Sequence, residues 1–163
     1  METRLMTGNE ALALGALRAG AKVLAGYPGT PSSGALVRLL ALDPDHPWMC
    51  GRHVEWSTNE KVAYEEALGM SYAGGRSVVS MKHVGLNVAA DPFVNSALTG
   101  VNGGLVLLVA DDPGMHSSQN EQDSRFYGDF AQIPVFEPAS QQEAYDATLQ
   151  AFAYSEEIGL PVM

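Results

Sequence analysis

The stretch that most constrains this fold is Gly104-Leu105-Val106-Leu107-Leu108-Val109-Ala110, which carries no polar side chain at any position. A strand with one wet face alternates apolar and polar residues. An unbroken apolar run is expected of a parallel strand covered by helices on both sides. The rest of the chain supplies those helices. Leu12, Ala13, Ala16 and Leu17 repeat at helical spacing, with Asn9 as the expected N-cap and Gly20 as the stop, giving a helix over 9–19. A strand at 22–26, a loop at 27–33 and a helix over 35–42 follow. The alternation then continues with a strand near 52–56, a helix over 58–73, a strand at 77–81, a helix over 85–98 and the apolar strand 104–110. Beyond it come a polar loop at 111–124, a short strand at 134–137 and a helix over 140–157. Leu160-Pro161-Val162-Met163 reads as the opening of a sixth strand. Strictly alternating β and α elements predict a doubly wound α/β domain: a mostly parallel sheet of about six strands with helices on both faces. Residues 1–163 are expected to form one domain, the N-terminal part of a longer subunit or else a short subunit of its own.

Composition removes several function classes. The net charge of −10, from 19 acidic and 9 basic residues, opposes binding to a phosphate backbone, so no nucleic-acid partner is expected. No window approaches the roughly 20 apolar residues that a bilayer requires, so no membrane partner is expected either. The single cysteine, Cys50, makes neither a zinc site nor an iron–sulfur centre, which usually takes four thiolates. The opening residues lack a basic segment followed by an apolar one, which points to the cytoplasm.

In open α/β sheets ligands bind beyond the carboxyl ends of the strands, so the loops after strands are the candidate sites. Ser57-Thr58-Asn59-Glu60 precedes an apolar helix and fits a capping box with Ser57 as cap. In the competing reading Glu60 turns into a water-poor cleft, where burial disfavours its charged form and it shares a proton with a ligand nitrogen. Thr30 has two readings as well, as the cap of helix 35–42 or as a ligand contact in a proline-flanked loop. Lys82, His83, Asn87 and His116 stand in the loops after two further strands; each histidine is either structural or a hydrogen-bonding group at the site.

Four segments taken in order carry a resemblance. They are Gly-Tyr-Pro-Gly-Thr-Pro-Ser-Ser at 26–33, Val-Glu-Trp-Ser-Thr-Asn-Glu-Lys-Val-Ala at 54–63, Met-Lys-His-Val-Gly-Leu-Asn-Val-Ala at 81–89 and Asp-Asp-Pro-Gly-Met-His-Ser-Ser-Gln-Asn-Glu-Gln-Asp at 111–123. Glu60 also leads a Glu-x-x-Ala-x-x-x-Ala-x-Gly spacing through Ala63, Ala67 and Gly69, whose small residues are expected to share a packed helix face. Together these segments resemble the N-terminal aminopyrimidine-binding (PYR) domain of the 2-oxoacid:ferredoxin oxidoreductase family, in particular the indolepyruvate ferredoxin oxidoreductase alpha subunit.

The resemblance implies a thiamine diphosphate site shared between domains. Glu60 would be the catalytic group, hydrogen-bonded to the aminopyrimidine nitrogen N1′, with Tyr27, Pro28, Gly29 and Asn87 also against the cofactor. Thr30, Lys82, His83 and His116 would face the substrate. The Gly-Asp-Gly motif that holds Mg²⁺ and the diphosphate is absent, and Gly128-Asp129-Phe130 lacks its second glycine. Mg²⁺ and [4Fe-4S] clusters are therefore expected on other domains, with no metal site here. The implied partners are a diphosphate-binding domain, a beta subunit, ferredoxin, coenzyme A and a 2-oxoacid, an aryl pyruvate such as indolepyruvate, in a dimer or larger assembly. The implied reaction is coenzyme A-dependent oxidative decarboxylation. Two alternatives remain at this level: a thiamine-dependent decarboxylase that transfers no electrons, and a non-catalytic α/β interface module.

Overall fold

The computed structural model describes residues 5–42, 45–116 and 118–163. Four parallel strands form the sheet: β1 (Val23–Gly26), β2 (His53–Trp56), β3 (Ser77–Lys82) and β4 (Leu105–Ala110), in the order β2-β1-β3-β4. Because consecutive side chains in a strand point to opposite faces, the sheet divides its core in two. Val23, Ala25, Val79, Met81, Leu105 and Leu107 lie on one face, under α3 (Glu60–Tyr72), α4 (His83–Val88) and α5 (Ala90–Thr99). Leu24, Val78 and Val106 lie on the other, under α1 (Gly8–Arg18), α2 (Gly34–Leu40) and α7 (Gln141–Ile158). Helices on both faces of a parallel sheet make the doubly wound architecture. Among the described residues no helix is long and apolar enough to cross a membrane.

Several expected elements are corrected. Four strands are present where about six were expected. Residues 134–137 form no strand, although the Met163 amide donates to the Pro134 carbonyl and the Phe136 amide to that of Met163. Val162 bridges Val106 in parallel, so two short extended segments stand where strands five and six were expected. Pro134, Pro138 and Pro161 lack amide hydrogens, which limits any ladder there. The single helix expected over 85–98 is two, meeting at Ala89, because Pro92 has no N–H to give and its ring would collide with the Val88 carbonyl. An unforeseen short helix, α6 (Arg125–Ala131), follows the polar loop.

Caps also moved by one or two residues. Thr7, not Asn9, opens α1, in a reciprocal capping box with Glu10. The Asn9 side chain instead donates to the Pro31 carbonyl at 2.9 Å, tying α1 to the loop after β1. Two acids on helix surfaces are engaged rather than merely solvated: Glu66 accepts from the Ser57 hydroxyl at 2.6 Å, and Glu156 pairs with Arg76.

Candidate functional site

All four strands run the same way, so Gly26, Trp56, Lys82 and Ala110 end at one edge of the sheet. The candidate residues Tyr27 to Thr30, Glu60, Lys82, His83, Asn87 and His116 stand in or just after these strand ends, but β3 runs through Lys82 and α4 begins at His83, so Lys82, His83 and Asn87 do not lie in a loop as expected.

Glu60 is the first residue of α3, and the cap is Asn59, whose side chain accepts from the Val62 amide at 2.9 Å. Ser57 bonds Glu66, so the expected Ser57–Glu60 capping box does not form. This leaves the Glu60 carboxylate without a structural duty. The residue is 9% exposed, and among the described residues its carboxylate has no hydrogen bond or ion pair. Its oxygens are not among the side-chain polar atoms sealed from solvent, so they stay open to a ligand. Its close neighbour is Gly85 of α4: a Cβ there would stand 2.7 Å from Cγ and 2.8 Å from Oε1 of Glu60. Only a glycine lets α4 come this close. In the short helix His83–Val88 the isolated glycine was the signal that could have marked this contact.

Ala63 and Ala67, three and seven residues after Glu60, are fully buried on the same side of α3, where they let the helix sit close against the sheet. Gly69 is exposed, with nothing near its α-carbon. Nine residues at about 100° each is half a turn out of phase with Glu60, so the expected packed face ends at Ala67.

The loop after β1 is pinned from inside. The Gly29 amide donates to Ser33 Oγ at 2.8 Å, Ser32 Oγ donates to the Gly29 carbonyl at 2.6 Å, and Ser80 Oγ reaches the Ser32 carbonyl at 3.3 Å. Thr30 precedes a cis peptide bond to Pro31 and is exposed, and its hydroxyl has no partner among the described residues. It does not cap α2, whose N-cap is Ser33, so that alternative is removed. Tyr27 and Pro28 are also exposed, and Gly29 lies against the stem of Lys82, 2.9 Å from Cδ to a Cβ placed on it.

Lys82, His83 and Asn87 all turn to the polar loop. Lys82 Nζ donates to Ser118 Oγ at 2.6 Å, and Ser118 Oγ in turn donates to Asp112 Oδ2 at 2.6 Å. His83 is fully buried and its Nε2 meets the Asn120 carbonyl at 2.9 Å. Its Nδ1 is the one buried side-chain polar atom without a partner among the described residues. An unpaired lone pair is better tolerated than an unpaired N–H, so the hydrogen belongs on Nε2. Asn87 exchanges hydrogen bonds with Gln122 and receives a third from Tyr127. At the loop's neck Asp111 accepts from the Ser124 amide and hydroxyl. His116 is exposed on the same loop, and no described residue bonds it.

The edge therefore brings together the Tyr27–Thr30 loop, Lys82, His83, Asn87 and, against Gly85, Glu60. The sequence pointed to none of the partners Asp112, Ser118, Gln122 and Tyr127. A separate cleft of about 320 Å³ between β4 and α7, lined by Leu12, Leu107, Val109, Val135, Thr148 and Met163, contains none of the expected site residues. Its walls are largely apolar and its two acids are satisfied, Asp111 by Ser124 and Glu137 by Arg125, whereas the strand-end edge offers a carboxylate without a partner among the described residues. That edge is the candidate site.

Comparisons with known proteins give the family of the chain. A family model described as pyruvate flavodoxin/ferredoxin oxidoreductase, thiamine diphosphate-binding, matches residues 14–163. The chain is 51% identical over 168 residues to indolepyruvate oxidoreductase subunit IorA of Archaeoglobus fulgidus, covering 99% of this chain and 26% of that protein. It is 52% identical over 155 residues to the IorA of Thermococcus kodakarensis, covering 95% and 23%. The chain thus spans about a quarter of the length of these relatives. Among solved structures, the 2-oxoglutarate:ferredoxin oxidoreductase from Magnetococcus marinus superposes with a TM-score of 0.76 at 20% identity, over 96% of this chain and 28% of that one. At that identity the likeness speaks for the fold.

Proposed function

The chain belongs to the thiamine diphosphate-binding domain family of the pyruvate flavodoxin/ferredoxin oxidoreductases, and from that membership we propose that it forms the aminopyrimidine half of a cofactor site in a 2-oxoacid:ferredoxin oxidoreductase, with indolepyruvate or a similar aryl pyruvate as substrate. On this reading residues 1–163 are a single PYR domain at the N-terminal end of a longer cytoplasmic subunit. Mg²⁺, the diphosphate and [4Fe-4S] clusters are held on other domains, and a beta subunit, coenzyme A and ferredoxin complete the reaction in a dimer or larger assembly.

The observation that carries the reading is the Glu60 carboxylate, on a residue only 9% exposed, bordered by Gly85 at the strand-to-helix corner and without a partner among the described residues. A group of this kind fits a ligand that presents a hydrogen-bond donor on a flat ring. When bound, thiamine diphosphate supplies the carbon nucleophile that makes loss of carbon dioxide from a 2-oxoacid feasible. Glu60 contributes a carboxylate oxygen that holds a proton against the ring nitrogen N1′ and thereby fixes its tautomer. The pinned Tyr27–Ser33 loop walls the same edge and presents the unpartnered Thr30 hydroxyl, which suits the carboxylate or keto oxygen of the substrate. Lys82 brings a positive charge with no carboxylate in direct contact among the described residues, attached to Ser118, which suits the anionic end of a 2-oxoacid. His116, exposed on the same loop as Ser118, is assigned to the substrate side on this reading.

The test is hydrogen–deuterium exchange at C2 of thiamine diphosphate in the assembled enzyme carrying Glu60→Gln. An amide cannot exchange a proton with N1′, so exchange should slow by roughly 10²- to 10⁴-fold. Exchange at the parent rate refutes the assignment. Glu55→Gln is the control: Glu55 lies on the edge strand β2 and pairs with His53 at 3.0 Å.

A further inference from the structure

We propose that Asn87 is a positioning residue: through Gln122 and Tyr127 it fastens the 118–122 stretch of the polar loop to α4, and so fixes where that loop stands at the strand-end edge. Three attachments at alternate loop positions hold the stretch. Ser118 meets Lys82 at 2.6 Å, the Asn120 carbonyl meets His83 at 2.9 Å, and Gln122 meets Asn87. Two of the attachments use loop side chains and the middle one a backbone carbonyl, so side chain and main chain of the stretch are both held.

The Asn87 attachment is the most fully specified of the three. Its Nδ2 donates to Gln122 Oε1 at 2.6 Å, while its Oδ1 accepts from Gln122 Nε2 at 3.1 Å and from the Tyr127 hydroxyl at 2.6 Å. An amide oxygen has two lone pairs, and both are taken; of the whole side chain only one N–H is left. A ligand that used the Asn87 carbonyl would have to displace a bond already made. Tyr127 is itself fixed, its ring packed edge-on at 6.2 Å to the fully buried Phe93. The node is therefore tied to the core beneath α5, and the Asp111–Ser124 pair closes the loop at its base. Nothing in this arrangement needs a ligand to form. Its consequence for cofactor or substrate rests on the thiamine diphosphate reading, because α4 also carries the Gly85 that borders Glu60.

The test uses the full-length protein with Asn87→Ala, Gln122→Ala, the two combined, and the exchanged pair Asn87→Gln with Gln122→Asn. Amide hydrogen exchange of residues 118–124 and titration with thiamine diphosphate and Mg²⁺ are both measured. Each alanine variant should speed exchange in this stretch by about 5- to 10-fold, since each removes both Asn87–Gln122 hydrogen bonds that tie the loop to α4. The combined variant should do no more than the worse single one, and the exchanged pair should recover most of the protection. Both single variants should weaken cofactor binding equally. The proposal is overturned if Asn87→Ala weakens cofactor binding while Gln122→Ala changes neither readout, because Asn87 is then a ligand contact. Additive effects of the two alanines on exchange overturn it equally. If the parent protein binds no thiamine diphosphate, the functional reading fails, and the exchange measurements still decide the role of Asn87.

Discussion

Gly85→Ala separates the site from the scaffold more sharply than any change to a charged residue. The new Cβ would stand 2.7 Å from Cγ, 2.8 Å from Oε1 and 3.0 Å from Cδ of Glu60. Ordinary contact begins near 3.4 Å, so going from 2.7 to 3.4 Å moves the carboxylate by about 0.7 Å. The clashing atoms belong to a side chain that can swing, so the backbone is spared most of the strain. Alanine favours a helix over glycine by about 1 kcal/mol, which offsets part of an overpacking penalty of about 1–3 kcal/mol. Net destabilisation should stay below about 2 kcal/mol. Function should suffer more, because displacing a reacting group on the scale of 1 Å costs on the order of 10²-fold in rate. The assay is C2 hydrogen–deuterium exchange in the assembled enzyme, with thermal melting on the same samples. An expected slowing of about 10- to 100-fold, with a fall in Tm of only a few degrees, would match the geometry. An unchanged exchange rate with a large loss of stability would refute it, since Gly85 would then serve packing alone. Gly69→Ala is the companion control: α3 is open around Gly69, so this change should stabilise by about 0.5–1 kcal/mol and leave exchange untouched.

Three further outcomes are expected. Thr30→Val should lower kcat/KM of the assembled enzyme by about 10-fold, the usual scale for one hydrogen bond to a charged group; because Thr30 caps no helix, Tm should hold, and unchanged kinetics would remove Thr30 from the site. The present chain alone, titrated calorimetrically with thiamine diphosphate and Mg²⁺, should bind far more weakly than the assembled enzyme; a submicromolar Mg²⁺-dependent dissociation constant would contradict a site shared between domains. The Arg76 guanidinium, bonded to Glu156 at 2.7 and 2.6 Å with the Gly104 amide at 3.3 Å, holds the Glu156 carboxyl below its usual range. A lowered folded value means stability that is present above the unfolded value of about 4.3 and is lost as pH falls through the lower folded one. The pair is about one third exposed and screened by solvent, so the effect is about 1 kcal/mol at most. The Tm gap between the parent and Glu156→Gln should therefore close between about pH 5 and pH 3, and a gap constant over that range would show that the ion pair contributes nothing.

What the sequence determined by itself is whatever a short window encodes. The apolar run 104–110, the helical spacing of α1 and α7 and the strand-then-turn segments specified a parallel sheet with helices on both faces, because side-chain period and burial are read off neighbouring residues. The loops after the strands, and Glu60 at the head of α3, were legible for the same reason. Choices between near-equal neighbours were not. Thr7 took the cap from Asn9 because Asn9 had a distant partner in Pro31, and Asn59 took it from Ser57 because Ser57 had one in Glu66. Only the tertiary structure decided these, since local capping energies of about 1 kcal/mol are outweighed by bonds to residues far along the chain. It also decided which groups at the edge are spent and which are free: Asn87 is engaged by Gln122, 35 residues away, His83 by Asn120, 37 away, and Lys82 by Ser118, 36 away. The Glu60 carboxylate is left over because Asn59 caps α3 and Ser57 is taken by Glu66, while the neighbour it does have, the bare α-carbon of Gly85, offers it no bond. No local pattern records that outcome, because it depends on how β3, α3, α4 and the loop after β4 meet in space.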